Sequence, residues 1–428
     1  MEPTAAVSAA APERLSVTHQ ATLSALWLGL NFQSSALLPI VVPAQVLLLI
    51  DRGTVGSSNQ ALAVSAISLG GALIAIVVTP LAGVASDRMK SRFGRRRQLI
   101  VAGIVFALVG QAALAATTPL VLFALGLVIV AIGTNVVTAA YQGLLPDLVQ
   151  FSQRGAASGW LGFMTLIGSV GSLATAGLLL GSVSKGPHLM AAVERGSLLF
   201  YAVAAAVLAI SAAVTVLGVE EKAPVDAPTR PWTQLFRHQP FRVVFAARAL
   251  VMIGLTLFLT YIEYYFASTN GATTFVGATV AIGLLALFGA LASSLVLGIA
   301  SDRIPRVRIV IAANLAMAAA AWIFVFAPSQ FPLAPLGILF GLGYGAYLSV
   351  DWALAIDSLP GGSTSARDLG IFTVSINLPS LIAPALGGVV ILLANAGGFG
   401  PLAYRLVFSL AAISLLLGVV VVRRIRLA

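Results

Sequence analysis

Three charged side chains stand inside long apolar runs, and each needs a reason to be there. A charge at the bilayer centre costs about 2.5–3.5 kcal/mol on insertion scales. Arg248, Met252, Thr256, Thr260 and Glu263 recur at close to every fourth position, so they share one stripe of one helix. Arg248 and Glu263 are about 22 Å apart along that helix, too far to pair. Tyr344, Tyr347 and Asp351 fall at i, i+3 and i+7 and share a face of another helix. Arg248 and Asp351 each lie roughly two turns from the same membrane surface. They are expected either to form an ion pair or to face a watery vestibule separately. Glu263, within Tyr261-Ile262-Glu263-Tyr264-Tyr265, is a carboxylate among aromatics. Desolvation there makes it the best candidate among these carboxylates for carrying a coupling proton. Its place near the outer end of the span favours instead a solvated residue in an interfacial aromatic belt.

Neutral polar groups form a second set. Asn135, Thr138 and Gln142 make a stripe at i, i+3 and i+7 with Tyr141 beside it, and Asn31 with Ser34 or Ser35 offers the matching face on the first span, which also carries Gln33. With Tyr344 and Tyr347, these amides, hydroxyls and phenols suit a polyhydroxyl or amphipathic solute held in an otherwise apolar cavity. The competing role is interhelical hydrogen bonding. Asn377-Leu378-Pro379 and Pro384 read as a helix bend. Cysteine is absent, which excludes disulfides, thiolate metal sites and cysteine nucleophiles, and the three histidines lack metal-ligand spacing. No cofactor, metal or enzymatic signature is expected.

The elements that position these groups follow from composition. The chain is 59% apolar and 9% charged, with mean hydropathy +1.02, well outside the range of water-soluble domains. A bilayer span needs roughly 20 apolar residues. Spans are expected near 20–50, 61–84, 98–116, 119–145, 156–181 and 197–218, then near 241–267, 275–299, 308–327, 334–357, 369–394 and 403–422. The result is an all-α membrane protein of twelve transmembrane helices. Residues 1–19 read as a disordered tail, 20–218 as one six-helix bundle, 219–240 as a polar linker, 241–422 as the second bundle, and 423–428 as a basic tail. Of the 24 Lys and Arg, all but Arg52, Lys185, Arg195, Arg405 and Arg248 fall on the side of the two termini, which is therefore expected to be cytoplasmic. The formal charge of +10 is spread over these loops, so it reads as a topology signal and no nucleic acid is expected.

The densest cationic stretch is Gly83-Val84-Ala85-Ser86-Asp87-Arg88-Met89-Lys90-Ser91-Arg92-Phe93-Gly94-Arg95-Arg96-Arg97, read as a surface loop. It is echoed by Gly298-Ile299-Ala300-Ser301-Asp302-Arg303. Asp147 and Asp357 likewise end the fourth and tenth spans. The two halves are thus copies of one unit, as in many secondary transporters.

The Gly-x-x-x-Asp-Arg…Gly-Arg-Arg loop in a six-plus-six chain resembles the major facilitator superfamily. Its longer gap, Ser-Asp-Arg-x-x-Ser-Arg-Phe-Gly-Arg-Arg-Arg, is similar to the glycoside–pentoside–hexuronide:cation symporter branch and to plant sucrose carriers. The resemblance implies two pseudo-symmetric bundles rocking about a central site, with a gate built from Asp87, Arg88, Gly94, Arg95 and Arg96, from Asp302 and Arg303, and from Asp147 and Asp357. An Asp at a helix mouth accepts from free backbone N–H groups and pairs with guanidinium groups; the plainer role is a solvated topology determinant. Two departures stand out. The second span (Ala61 to Val84) has no carboxylate for the sodium site of melibiose-type members, and the first span has no charge to hold a sugar.

The expected function is proton-coupled symport of a glycoside or similar small solute by a monomer in the bacterial inner membrane, without ATP. The rivals are an exporter of amphipathic compounds, a lysolipid mover and a non-transporting scaffold.

Overall fold

The computed structural model describes residues 14–51, 60–89, 94–116, 120–180, 189–221, 231–270, 275–326, 334–360, 365–400 and 402–425. Twelve helical segments among them are long and apolar enough to cross a membrane. In the first half these are α1 (Val17–Ser35) continued by α2 (Val42–Asp51), α3 (Gln60–Arg88), α4 (Arg95–Ala115), α5 (Leu120–Leu148), α6 (Arg154–Leu180) and α7 (Leu189–Gly218). A short α8 (Trp232–Arg237) leads to the second half: α9 (Gln239–Asn270), α10 (Phe275–Ala300), α11 (Arg306–Phe326), α12 (Ala334–Asp357), α13 (Ser365–Ala396) and α14 (Leu402–Val422).

These helices form because long apolar runs can satisfy their backbone groups in hydrocarbon only within the helix. Their outer faces carry exposed apolar strips such as Leu73, Val77 and Leu81, or Val101, Val105 and Val109, at i, i+4 and i+8. Strips of this kind are solvated by lipid. Within the first half α1 packs on α6 and α7, and α4 on α5; within the second α10 packs on α12, and α9 on α13 and α14. Across the halves α3 and α5 meet α13, and α6 meets α10 and α12.

Four expectations are corrected. The first span is two helices: Pro39 has no N–H to donate to the Ser35 carbonyl, and the N–H of Val41 reaches back five residues to Ala36 instead (3.1 Å). Leu37–Val41 is accordingly a π-turn. The tail is structured from Leu15, whose backbone exchanges hydrogen bonds with the Gln153 amide, and α1 begins at Val17 with Ser16 as its cap. The basic stretch is mostly helix, α3 running through Arg88 and α4 starting at Arg95, with Lys90–Phe93 outside the described residues. The linker contains α8, anchored by buried Leu235 and by Phe236 against Phe241 and Phe245.

Candidate functional site

At the end of the bundle carrying the basic loops, two matching junctions join the halves. The Asp87 carboxylate at the end of α3 accepts from the backbone N–H groups of Ala366 (3.3 Å) and Arg367 (2.9 Å), which open α13. The Asp302 carboxylate after α10 accepts from Gly155 (2.7 Å) and Ala156 (3.0 Å), which open α6. Each Asp therefore supplies the anion that the opposite bundle's helix N-terminus attracts. One turn before each Asp stands the glycine that makes the approach possible. A Cβ on Gly83 would lie 2.6 Å from the Ala366 carbonyl oxygen, and one on Gly298 would lie 2.4 Å from Gly159 Cα. The Gly-x-x-x-Asp spacing is thus a contact and a cap on one helix face.

Arginines from the following helices lock each junction. Arg96, fully buried, pairs with Asp87 (3.5 Å) and Asp147 (2.7 Å), and Arg95 also reaches Asp147 (3.1 Å). Arg306 pairs with Asp302 (3.3 Å) and with Asp357, and Arg154 of the first bundle crosses to Asp357 at 2.9 Å. Arg88 and Arg303 are exposed and take part in neither network. Gly94 is positioned by its backbone: at φ +97° it opens α4, and Glu221 of the linker accepts from the N–H of Arg96 (2.8 Å) and Arg97 (3.3 Å).

Further along the helices lies a cavity of about 660 Å³ between α1, α3, α5 and α13. Gly71 on its wall is about 25 Å along α3 from Arg88, so the cavity occupies the middle and the half remote from the basic loops. Its polar groups are Asn31, Gln33, Ser34, Thr134, Asn135 and Thr138, with Thr373 and Asn377 from α13, and no charged side chain is among the described residues lining it. Asn135 accepts from Thr79 (2.8 Å) and donates to the Ala131 carbonyl (2.7 Å); Asn31 donates to the Trp27 carbonyl (2.7 Å). Gln33 differs: it is 1% exposed, and neither end of its amide has a hydrogen-bond partner.

Below the cavity Trp27 stacks on Tyr141 (5.4 Å) and meets Trp352 of α12 edge-on (5.7 Å). Behind Trp352, Arg248 and Asp351 form an ion pair at 2.5 Å, both buried. The guanidinium lies over the rings of Trp352 (4.9 Å) and Phe372 (4.6 Å), while its Nε and Nη1 have no hydrogen-bond acceptor. Tyr347 packs against both charged groups.

The structure brings Asn31, Gln33, Asn135 and Thr138 to one cavity and leaves out the other four expected binding residues. Tyr141 is fully buried and donates to the Leu23 carbonyl (2.9 Å). Gln142 is one turn too deep, accepting from Thr373 (3.1 Å). Tyr344 and Tyr347 lie in the packing of the second bundle. The side chain of Glu263 falls outside the described residues. Sequence reasoning missed Trp27, Thr373, Asn377 and the junction partners Arg154, Arg306 and Glu221. Asn377 was hidden by Pro379, since α13 stays helical through both of its prolines and turns Asn377 toward the cavity.

Two pseudo-symmetric six-helix bundles, latched at one end and parted around a mid-membrane cavity, define a membrane carrier. The Major Facilitator Superfamily profile matches residues 23–296 and 249–427, so the chain belongs to that superfamily and is an integral multi-pass membrane transporter. The general alpha-glucoside permease of Schizosaccharomyces pombe is 30% identical over 122 residues, which cover 25% of this chain and only 22% of the relative. Among solved structures, the E. coli fucose:proton symporter superposes with TM-score 0.71 at 17% identity over 95% of this chain and 97% of its own. A bacterial homologue of the iron transporter ferroportin, in an outward-facing state, gives 0.71 at 15% identity over 96% and 99%. These two share the fold.

Proposed function

We propose that the protein is a proton-coupled carrier that takes up a neutral, hydroxyl-bearing solute such as a glycoside. The observation that carries this reading is the unmet Gln33 amide beside a cavity of neutral amides and hydroxyls. A buried amide without a partner costs about 1–3 kcal/mol, and turning the Gln33 side chain into the cavity, where a solute hydroxyl donates to its oxygen or accepts from its nitrogen, removes that cost. The described lining residues carry no charge, which disfavours ionic solutes, since they would be desolvated without a counter-charge. The glucoside permease relative and the fucose:proton neighbour point the same way. The basic-loop end is cytoplasmic by the positive-inside rule, so the latched state faces outward. Asp351 is the carboxylate we assign to the coupling proton. Its protonation would free the Arg248 guanidinium, which is held over Trp352 and so linked to Trp27 on the cavity floor.

Ligand-induced thermal stabilisation of the purified carrier tests the reading. A glycoside at 100-fold excess over its Kd adds about 2.7 kcal/mol of apparent stability. Stabilisation by neutral glycosides that falls to about half, about 1.4 kcal/mol, in Gln33→Leu at the same concentration supports it, and stabilisation only by cationic amphiphiles overturns it. The second outcome would favour the exporter reading, which draws on the apolar remainder of the same wall (Leu37, Leu38, Leu127).

A further inference from the structure

A second cavity, of about 740 Å³, lies beside the Asp87 junction and is separate from the solute cavity. It is formed where α3, α9 and α13 meet the linker helix α8. One end is apolar, walled by Leu81, Phe245 and Ile371, and the other end carries Arg88 and Arg367. Leu81 and Arg88 are about 10 Å apart along α3. A smaller adjoining pocket shares Pro231 and Arg367 with it and adds Arg237. Trp232, 63% exposed, stands on the rim, where an indole prefers the level of lipid headgroups.

The walls choose the occupant. The apolar mouth continues into the exposed strip Leu73, Val77 and Leu81 of α3, so it opens sideways to hydrocarbon rather than to water. At the polar end the acidic groups are already engaged. Asp87 holds the α13 N-terminus and Arg96, and Asp368 pairs with Arg367 at 2.7 Å. Arg88 and Arg237 take no ion pair among the described residues. An amphipathic ligand with a negative headgroup therefore matches this gradient, since basic pockets between transmembrane helices suit anionic lipid headgroups.

We infer that this cleft binds one acidic phospholipid of the basic-face leaflet, its phosphate held by Arg88 and Arg237 beside Arg367, and its chains laid along α3 and α13. The cleft spans the two halves, so the bound lipid bridges them and favours the latched state. Beside Asp302 the same close approach is made by Gly298 on Gly159, and among the described residues no linker helix flanks that junction to supply a wall like α8. The two otherwise equivalent junctions thus differ in lipid binding.

The inference does not depend on the identity of the solute. The purified protein is equilibrated with equal amounts of phosphatidylglycerol and phosphatidylcholine, and its retained lipids are counted by native mass spectrometry. Wild type retains phosphatidylglycerol preferentially. Arg88→Gln and Arg237→Gln each lower that preference roughly fivefold, the ratio equivalent to ~1 kcal/mol per basic residue near an anionic surface. Arg303→Gln, the exposed counterpart at the other junction, leaves it unchanged. An unchanged preference in the double variant, or an equal fall in Arg303→Gln, overturns the assignment. Trp232 gives a readout in the native sequence context. Phosphatidylglycerol with brominated chains quenches its fluorescence, obtained as wild type minus Trp232→Phe, more strongly than brominated phosphatidylcholine; equal quenching also rules the site out.

Discussion

α1 with α5 in the first half, and α9 with α12 in the second, hold the same places in the six-helix order, yet they present opposite chemistry. The first pair offers Asn31, Gln33, Asn135 and Thr138 to a cavity with no charge among its described lining residues. The second pair closes Arg248 on Asp351 at 2.5 Å under two aromatic rings. At the junctions, by contrast, the halves match residue for residue: Gly83 with Gly298, Asp87 with Asp302, Arg96 with Arg306, Asp147 with Asp357. Rocking needs two alike latches, so the ends keep their symmetry. In the proposed function, recognition and coupling use different groups, and a duplicated scaffold can place one in each half.

The largest expected effect breaks the charged side of this contrast. Arg248→Met leaves Asp351 buried without its counter-charge and should cost about 3–5 kcal/mol in thermal or denaturant unfolding in detergent. Arg248→Met with Asp351→Leu should recover most of that loss, because an apolar pair of similar volume needs no solvation. A loss under about 1 kcal/mol in the single variant that persists at high pH would mean that water reaches the pair. A loss that is small only at low pH would mean that Asp351 takes up a proton once its counter-charge is gone.

Next come the latches, where symmetry predicts equal effects. Asp87→Asn and Asp302→Asn each keep the shape and remove the charge at a helix N-terminus, worth about 1 kcal/mol. Both should open the basic face by a similar fraction, read as spin-label distances between α3 and α13 and between α6 and α10. A much larger opening for one variant would show that the junctions share the load unequally. The linker supplies a structural reason for such a result, since Glu221 caps α4 beside Asp87 and no such cap on α11 is found among the described residues.

Much of this was legible in the chain. The twelve spans follow from runs of apolar residues longer than a bilayer requires, and Gly83, Asp87, Gly298 and Asp302 announce themselves as a repeated loop. The pairing of Arg248 with Asp351 could be proposed because both sit at equal depth. Other features depend on what a sequence places together only after folding. Pro39 sits in an unbroken apolar run, so nothing local separates a π-turn from a straight helix. Gln142 and Asn135 share a stripe, and only the depth of the cavity floor separates them. Arg154 and Arg306 read as topology charges, because their partners Asp357 and Asp302 arrive from across a bundle or from another helix end.

Gln33 sharpens the neutral side of the contrast, through two effects of opposite sign. Gln33→Leu replaces a buried amide without partners by an apolar group of similar size, so unliganded stability should rise by about 1 kcal/mol. Affinity for the solute should fall roughly tenfold as a hydrogen bond worth about 1.4 kcal/mol is lost. A variant that loses stability would show that the amide is satisfied from within the protein.

The smallest effect tests whether the two sides communicate. Trp352 touches Trp27 at the cavity floor and lies under the Arg248 guanidinium, so it is a physical link between solute and ion pair. Trp352→Phe keeps a ring in place but shortens it and weakens its attraction for the cation, which should cost only about 0.5–1 kcal/mol of stability. The informative readout is the pH dependence of solute binding. In wild type, binding and protonation of Asp351 should favour one another, so affinity rises as pH falls. In Trp352→Phe affinity at low pH should drop toward its value at high pH, while Gln33→Leu lowers affinity at both. If Trp352→Phe instead behaves like Gln33→Leu, the tryptophan is part of the binding wall, and the proton must be sensed by another route.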